Sequence, residues 1–365
     1  MNLQINLPHP ADAQLVERCV DFLHPESEGA SVRPLGRYGY TESRLYLVYC
    51  APRDAGIPFV VKTDRPEVVR REAEGVKRLG VYFTGAQSAR IFPDVGPPEA
   101  IIYPLVSLDG SGTVTELKDL VYLPAHARVR ERPSSVRLLQ STYDSCRASH
   151  KGSVATFKFG NQYDAYLRET PERLLTDPLP HVFPARSTAT IYGQTLRDPR
   201  RILEAVKQLE VTTLVCPVHG DLHPNNVLFG RNFVPVLIDY AFGHLSGHFI
   251  KDFALMECSL RFLQTPKLLQ PDLMARLDDE LLAEDGYRTV FRSRGRTAEV
   301  LKETADLVAT IRTECRLRHQ SYNFSEYLVA EYMMLMGALR LLPYQDFRTL
   351  RALCKLADHI ETNIL

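Results

Sequence analysis

Ten consecutive residues, His219-Gly220-Asp221-Leu222-His223-Pro224-Asn225-Asn226-Val227-Leu228, carry the groups best suited to chemistry. Asp221 and Asn226 stand five positions apart, on a segment too rich in Pro and Asn for a regular helix. A second carboxylate, Asp239, closes the apolar run Val234-Pro235-Val236-Leu237-Ile238. Phosphoryl transfer to a hydroxyl needs this set. One carboxylate accepts the proton of the attacking hydroxyl, while an amide oxygen and a second carboxylate hold Mg²⁺ on the nucleotide phosphates. Asp221 is the candidate base: it need only orient the hydroxyl and take its proton late in a loose transition state. Asn226 and Asp239 are the candidate metal ligands, hard oxygen donors of the kind Mg²⁺ takes one or two of. A lone His-Gly-Asp would read as an Asp in a turn. The Asn at this spacing and the Asp after an apolar run tell against that.

Elements must hold these groups in place. Val227-Leu228-Phe229 and Val234-Pro235-Val236-Leu237-Ile238 flank Gly230-Arg231-Asn232-Phe233 and read as a hairpin. Upstream, Val32-Arg33-Pro34-Leu35, Arg44 to Cys50 and Phe59-Val60-Val61-Lys62 read as strands, with a turn at Asp54 to Pro58. Pro66 opens a helix that runs from Glu67 to Leu79 with Gly75 its one breaker. Ala100 to Val106 reads as a buried strand. Residues 107–195 are less legible: a turn at Asp109 to Gly112, a basic stretch from Ala127 to Arg132 and a helix within Phe157 to Leu175. Arg197 to Leu209 reads as a helix with Ile202, Ala205, Val206 and Leu209 on one face. Beyond 250 the chain is helical, with stripes at Leu273, Leu277, Leu281 and at Leu301, Ala305, Val308, Ile311, Cys315. Tyr327 to Leu342 is apolar enough to be buried all round.

The pattern His-x-Asp-x-x-x-x-Asn, an apolar strand and then Asp resembles the aminoglycoside phosphotransferase and choline kinase branch of the protein-kinase-like superfamily. The run Gly247 to Glu257 also resembles a bacterial subgroup of these kinases, the ternary-complex-associated domains encoded with conflict and signalling systems. The resemblance is strong over 216–257, moderate over 35–106 and nearly absent elsewhere. It implies an α+β, two-lobed kinase-like fold: a small, mainly β, nucleotide-binding part at 1–104 and a larger, mainly helical part at 105–365 with the catalytic loop, metal site and acceptor pocket. It also implies a role for several further residues. Lys62, in Phe59-Val60-Val61-Lys62, resembles the strand lysine that contacts nucleotide phosphates. A Lys at a strand end is ordinarily a solvated charge, but here a helix with Glu72 and Glu74 follows, and Glu72 fits the partner position better. Gly36, Gly39 and Ser43 fall in the candidate phosphate-covering loop, although two glycines three apart are not Gly-x-Gly-x-x-Gly. Ile102, Tyr103 and Leu105 fall where the backbone of relatives pairs with adenine.

His219 becomes a structural residue that packs and hydrogen-bonds the catalytic loop. The zinc-like spacing His219-x-Asp221-x-His223 lacks a third His or Cys cluster. Asp252 in Lys251-Asp252-Phe253-Ala254 matches the element that braces the catalytic loop in relatives, and a helix N-cap is its plainer reading. His244 and His248 read as loop histidines, because Gly243, Ser246 and Gly247 argue against a helix. Asp239 opens Asp-Tyr-Ala-Phe-Gly rather than Asp-Phe-Gly, so a protein-kinase-type activation switch is not implied.

Composition bounds the rest. The chain has 365 residues, enough for a core in each of two parts. Lys+Arg and Asp+Glu both total 44, so no bulk charge draws it to nucleic acid or an anionic membrane. Met1 to Pro8 lacks the basic and apolar regions of a signal peptide. No run approaches the roughly 18 apolar residues of a membrane span. The seven Cys are scattered and include no Cys-x-x-Cys, which suits isolated thiols in a reducing cytoplasm. The expectation is a cytoplasmic enzyme that uses Mg²⁺ and ATP, or GTP, to phosphorylate a small-molecule hydroxyl. The rival class is an inactive, nucleotide-binding regulatory module with a protein partner.

Overall fold

The computed structural model describes residues 10–35, 43–51, 58–83, 90–91, 100–104, 114–123, 133–147, 149, 151–168, 177–230, 232–266, 271–289, 294–319, 322–341 and 344–365. The first third runs α1 (Pro10–Leu23), β1 (Gly29–Pro34), β2 (Arg44–Ala51), β3 (Phe59–Thr63), α2 (Pro66–Leu79), β4 (Arg90–Ile91) and β5 (Ala100–Pro104). The five strands form one antiparallel sheet in the order β1-β2-β3-β5-β4. Period-two alternation sorts its side chains. Tyr46, Val48, Phe59, Val61, Ala100 and Ile102 form one core with Leu15, Val16, Cys19 and Val20 of α1. That leaves Val60, Lys62, Ile101 and Tyr103 for the other face. Sequence pattern located β1, β2, β3, β5 and α2, whose first turn carries Pro66 where no N–H partner is needed, but not β4. It did not locate α1. The expected turn at residues 54–57, that at 109–112 and the basic stretch at 127–132 lie outside the described residues.

The middle third holds β6 (Thr115–Glu116), α3 (Ser135–Ser145), β7 (Ser153–Lys158), α4 (Phe159–Leu167), α5 (Leu179–Val182), β8 (Thr188–Ile191), β9 (Gln194–Arg197), α6 (Leu203–Gln208) and β10 (Glu210–Val218). The helix expected within Phe157 to Leu175 is α4, with residues 169–175 outside the described residues, and the helix expected from Arg197 to Leu209 is shorter than its pattern suggested. Phe157 belongs to β7, which pairs with β10 through Lys158, so the helix starts at Phe159. Arg197 belongs to β9. The Asp198 side chain accepts the Arg200 N–H at 2.8 Å and Pro199 follows it, so a tight 3₁₀ turn intervenes before α6. Ile202 and Val206 are buried there, whereas Ala205 is exposed.

The last third holds β11 (Val227–Phe229), β12 (Pro235–Leu237), β13 (His244–His248), α7 (Lys251–Cys258), α8 (Pro271–Glu280), α9 (Gly295–Arg318), α10 (Phe324–Ala338) and α11 (Phe347–Asn363). The fold class is thus α+β, β-rich toward the N-terminus and helical toward the C-terminus. Among the described residues no helix is long and apolar enough to cross a membrane.

Contacts divide the chain into two compact units, each discontinuous. One comprises Met1–Leu120, Ser141–Lys151 and Pro217–Leu245; the other comprises Val121–Gln140, Gly152–Cys216 and Ser246–Leu365. This division differs from a single cut between 104 and 105. The hairpin β11–β12 joins the first unit because β6 adds to it, pairing Glu116 with Leu228.

The second unit packs around buried charge. Arg261 donates to Glu257 at 2.9 Å, to Asp278 at 3.2 Å and to Glu331. Arg312 holds Glu257 at 2.8 and 3.1 Å, and the Tyr327 hydroxyl donates to the same carboxylate at 2.8 Å. Every member is below a tenth exposed. Such charges persist in a core only when paired and hydrogen-bonded.

Candidate active site

Local sequence shapes the loop that carries Asp221. Gly220 has φ +79°, and a Cβ there would enter the carbonyl of Phe242, so only Gly fits on both counts. His223 is extended and its ring Nδ1 accepts the Asn225 N–H at 3.3 Å, capping a 3₁₀ turn over Pro224–Asn226. The Asn226 amide nitrogen donates to the Asp221 carbonyl at 2.9 Å and to its carboxylate Oδ2 at 3.3 Å. Only the NH₂ end can serve two acceptors, which fixes the amide orientation and points its oxygen elsewhere. The chain then enters β11. Val227 pairs with Leu237, and the Ile238 N–H donates to the Asn226 carbonyl at 3.1 Å. That register delivers Asn226 and Asp239 to the same end of the hairpin.

Asp239 has φ +66°, a left-handed conformation that costs a non-glycine residue roughly 1–2 kcal/mol. Bonds on both sides hold it. Its carboxylate lies 2.6 Å from the Lys62 ammonium, and its N–H donates to the Tyr103 hydroxyl at 3.1 Å. Lys62 Nζ also donates to Glu72 Oε2 at 2.7 Å. Lys62 is 2% exposed and Asp239 23%. The solvated-charge reading of Lys62 therefore fails: its ammonium is buried between two carboxylates.

Two carboxylates around one ammonium leave surplus negative charge out of water, and the proton affinity of Glu72 rises in response. Burial, with the Asp239 charge, raises the Glu72 carboxyl to about 8 against the opposing pull of Lys62. Burial would raise Asp239 too, but the Lys62 ammonium outweighs it and holds that carboxyl below its ordinary range. Burial alone would lower the Lys62 amine, and Asp239 and Glu72 more than offset it. Glu74 sits on the exposed side of α2.

His219 is committed at both nitrogens. Its Nε2–H donates to the Ile238 carbonyl at 3.0 Å and its Nδ1 accepts the Asp221 N–H at 3.3 Å. The ring packs against that of Tyr240, tilted by 45° with centroids 4.5 Å apart. It holds the two limbs of the site together and has no ring nitrogen left for zinc. His223 Nε2 lies 3.6 Å from Asp221 Oδ2, beyond a hydrogen bond. Among the described residues no three His, Cys, Asp or Glu side chains are arranged to hold a metal.

The other predicted residues fall as follows. The Ser43 hydroxyl donates to Asp64. Ile102 turns its side chain into the α1 core and pairs with Val61 and Arg90. Tyr103 directs its side chain to Glu72 and Asp239. Gly36, Gly39 and Leu105 lie outside the described residues. Asp252 lies in the second unit, in the first turn of α7. Ile250 is the N-cap, so the N-cap reading of Asp252 is corrected. His244 and His248 are strand residues rather than loop residues. His248 is buried, bonded to Tyr163 at 2.8 Å and Glu326 at 2.7 Å, which the sequence around it did not signal.

The family model of ternary complex associated domain 9 matches residues 126–335. Similar solved structures include choline kinase LicA from Streptococcus pneumoniae, 12% identical with TM-score 0.34, covering 94% of this chain and 99% of that one. A thermostable mutant of aminoglycoside phosphotransferase APH(4)-Ia in its apo form is 11% identical with TM-score 0.43, covering 95% and 99%. A glucosamine kinase is 12% identical with TM-score 0.43, covering 92% and 82%. No curated protein sequence matches the chain.

Proposed function

The chain belongs to the ternary complex associated domain 9 family, and from that premise we propose that it is a Mg²⁺-dependent phosphotransferase. It moves the γ-phosphoryl group of ATP, or of GTP, to a hydroxyl of a small-molecule acceptor. One observation carries the reading: the buried Lys62 ammonium lies between Glu72 and Asp239, and Asp239 and Asn226 meet at one end of a hairpin. A structural ion pair needs no such partner, since burying it costs desolvation that apolar packing avoids.

The donor set suits Mg²⁺. Asp239 offers a partly exposed carboxylate and Asn226 an amide oxygen turned away from Asp221, the hard ligands this ion takes in small number. Bound there with nucleotide, Mg²⁺ would neutralise phosphate charge. Lys62 would add its ammonium to the same phosphates, with Glu72 holding it in place. Asp221, steadied through its carboxylate by Asn226 and through its N–H by His219, would orient the acceptor hydroxyl and take its proton.

One observation favours the rival reading of an inactive nucleotide-binding module. Lys62 already neutralises Asp239, the carboxylate a metal would use. Nucleotide affinity with Mg²⁺ and in chelator, for wild type and Asp239→Ala, separates the two, followed by a screen of sugars, aminoglycosides, choline-like amines and proteins as acceptors. The phosphotransferase reading requires Mg²⁺-dependent affinity that Asp239→Ala abolishes and a phosphorylated acceptor. Nucleotide binding indifferent to Mg²⁺ in wild type would sink it.

A further inference from the structure

Tyr103 is a residue whose backbone, by resemblance, belongs to the adenine-facing strand. Its side chain is engaged elsewhere. On β5 it is opposite Val60 of β3, and Lys62 is opposite Ile101. Lys62 and Tyr103 are therefore diagonal neighbours on one face of the sheet, the face away from the α1 core. Glu72 of α2 meets both. Lys62 takes carboxylate oxygen Oε2, and the Tyr103 hydroxyl donates to Oε1. Each Glu72 oxygen thus has its own donor.

A phenol has one hydrogen, and with Glu72 ionised that carboxylate receives it. The Tyr103 oxygen is then free only to accept, and it accepts the Asp239 N–H at 3.1 Å. The chain of donors has one direction, from the Asp239 amide through the Tyr103 hydroxyl to the Glu72 carboxylate. Tyr103 is 2% exposed and Glu72 fully buried, so water does not substitute readily in the bond between them. Asp239 is the residue that needs such a hold, because it is non-glycine and left-handed.

We propose that Tyr103 is a positioning residue whose hydroxyl ties the backbone of Asp239 to the Lys62–Glu72 pair, so that the metal-facing carboxylate and the phosphate-facing ammonium are set as one piece. The role of the tie in metal use rests on the phosphotransferase reading. The tie itself does not.

Tyr103→Phe removes the oxygen and keeps the ring that fills this face, so the fold survives. Two readouts follow. Residue-resolved amide exchange without nucleotide tests the tie. The Asp239 amide should exchange at least about tenfold faster in the variant, as expected when an amide donor loses its acceptor. Retained protection at Asp239 overturns the proposal. Nucleotide affinity against Mg²⁺ concentration tests the positioning. The Mg²⁺ needed for half-saturation should rise about tenfold, while affinity in chelator stays within about twofold, because a strained Asp239 released from its bonds presents its carboxylate less often. Equal weakening with and without Mg²⁺ marks general loosening and overturns the positioning role. If wild type binds no Mg-nucleotide, the phosphotransferase reading falls, and the exchange rate of Asp239 alone decides the tie.

Discussion

Gly75 and Tyr240 touch without a side chain between them: a Cβ on Gly75 would fall inside the carbonyl oxygen of Tyr240. The helix that carries Glu72 thereby lies directly against the segment that opens with Asp239. Gly243 repeats the device from the other side, with Leu79 of α2 filling the space its Cβ would take. Arg71 covers the ring of Phe242 at 5.0 Å.

Gly75→Ala should therefore destabilise. In an exposed helix interior the change gains roughly 0.8–1 kcal/mol. Here the methyl meets a backbone atom that cannot swing aside, and overpacking typically costs about 1–3 kcal/mol. Denaturant unfolding should show a net loss, and Mg-nucleotide affinity should fall further than stability alone explains. A stabilised variant would show that the close approach does not exist.

Asp221→Asn should split binding from turnover. The variant keeps size and can still meet Asn226, but offers no proton acceptor. Loss of a general base typically costs about 10²–10⁴ in rate. Nucleotide affinity should stay unchanged, since Asp221 faces the acceptor in this reading. Phosphoryl transfer to any acceptor found, measured beside nucleotide affinity, checks both halves. Equal transfer in wild type and variant would remove Asp221 from the chemistry.

Two arginines with similar partners should differ sharply. Arg261→Ala removes the cation that Glu257, Asp278 and Glu331 share in the core, leaving Glu257 to Arg312 and Asp278 to Arg348, and breaking a buried pair from one side costs about 3–5 kcal/mol. Arg197 also meets two carboxylates, Asp358 and Glu361, but its side chain is 50% exposed. Arg197→Ala should cost at most about 1 kcal/mol. Unfolding curves for the two variants should be read side by side, and similar losses would contradict the burial argument.

Lys251 should give the second unit a pH signature. Its ammonium donates to the Gln162 carbonyl at 2.6 Å beside the rings of Tyr163 and Tyr166. Burial lowers its pKa from 10.5 to about 8, with Asp252 opposing. Between those values the unfolded chain keeps a proton that the folded chain has released. The penalty for burying the charge is thus fully present below about 8 and is relieved as pH rises to 10.5. Lys251→Met removes this group from the balance. The stability of wild type relative to the variant should climb between these limits, by at most about 3 kcal/mol. A flat difference would mean that the two rings and the carbonyl hold the ammonium charged throughout.

What the sequence determined by itself was local. β-Branched alternation and Pro or Gly punctuation act over a few residues, so β2, β3, the start of α2 and the hairpin β11–β12 were legible, as was the spacing from Asp221 to Asn226 to Asp239. What only the tertiary structure decided was which of the residues so placed would meet. Glu72 and Glu74 differ by about 200° around one helix, and sheet packing alone turns Glu72 inward. Tyr103 reaches Glu72 because the register sets it diagonal to Lys62, and register is a pairing across residues far apart in the chain. Helix α1 could not be assigned without the apolar sheet face it covers. Asp enters the left-handed region more readily than most non-glycine residues, but nothing in the flanking sequence announces that turn at Asp239. It exists because Lys62, Tyr103 and the carbonyl edge against Gly75 surround that one position, and those contacts form only when the chain has folded.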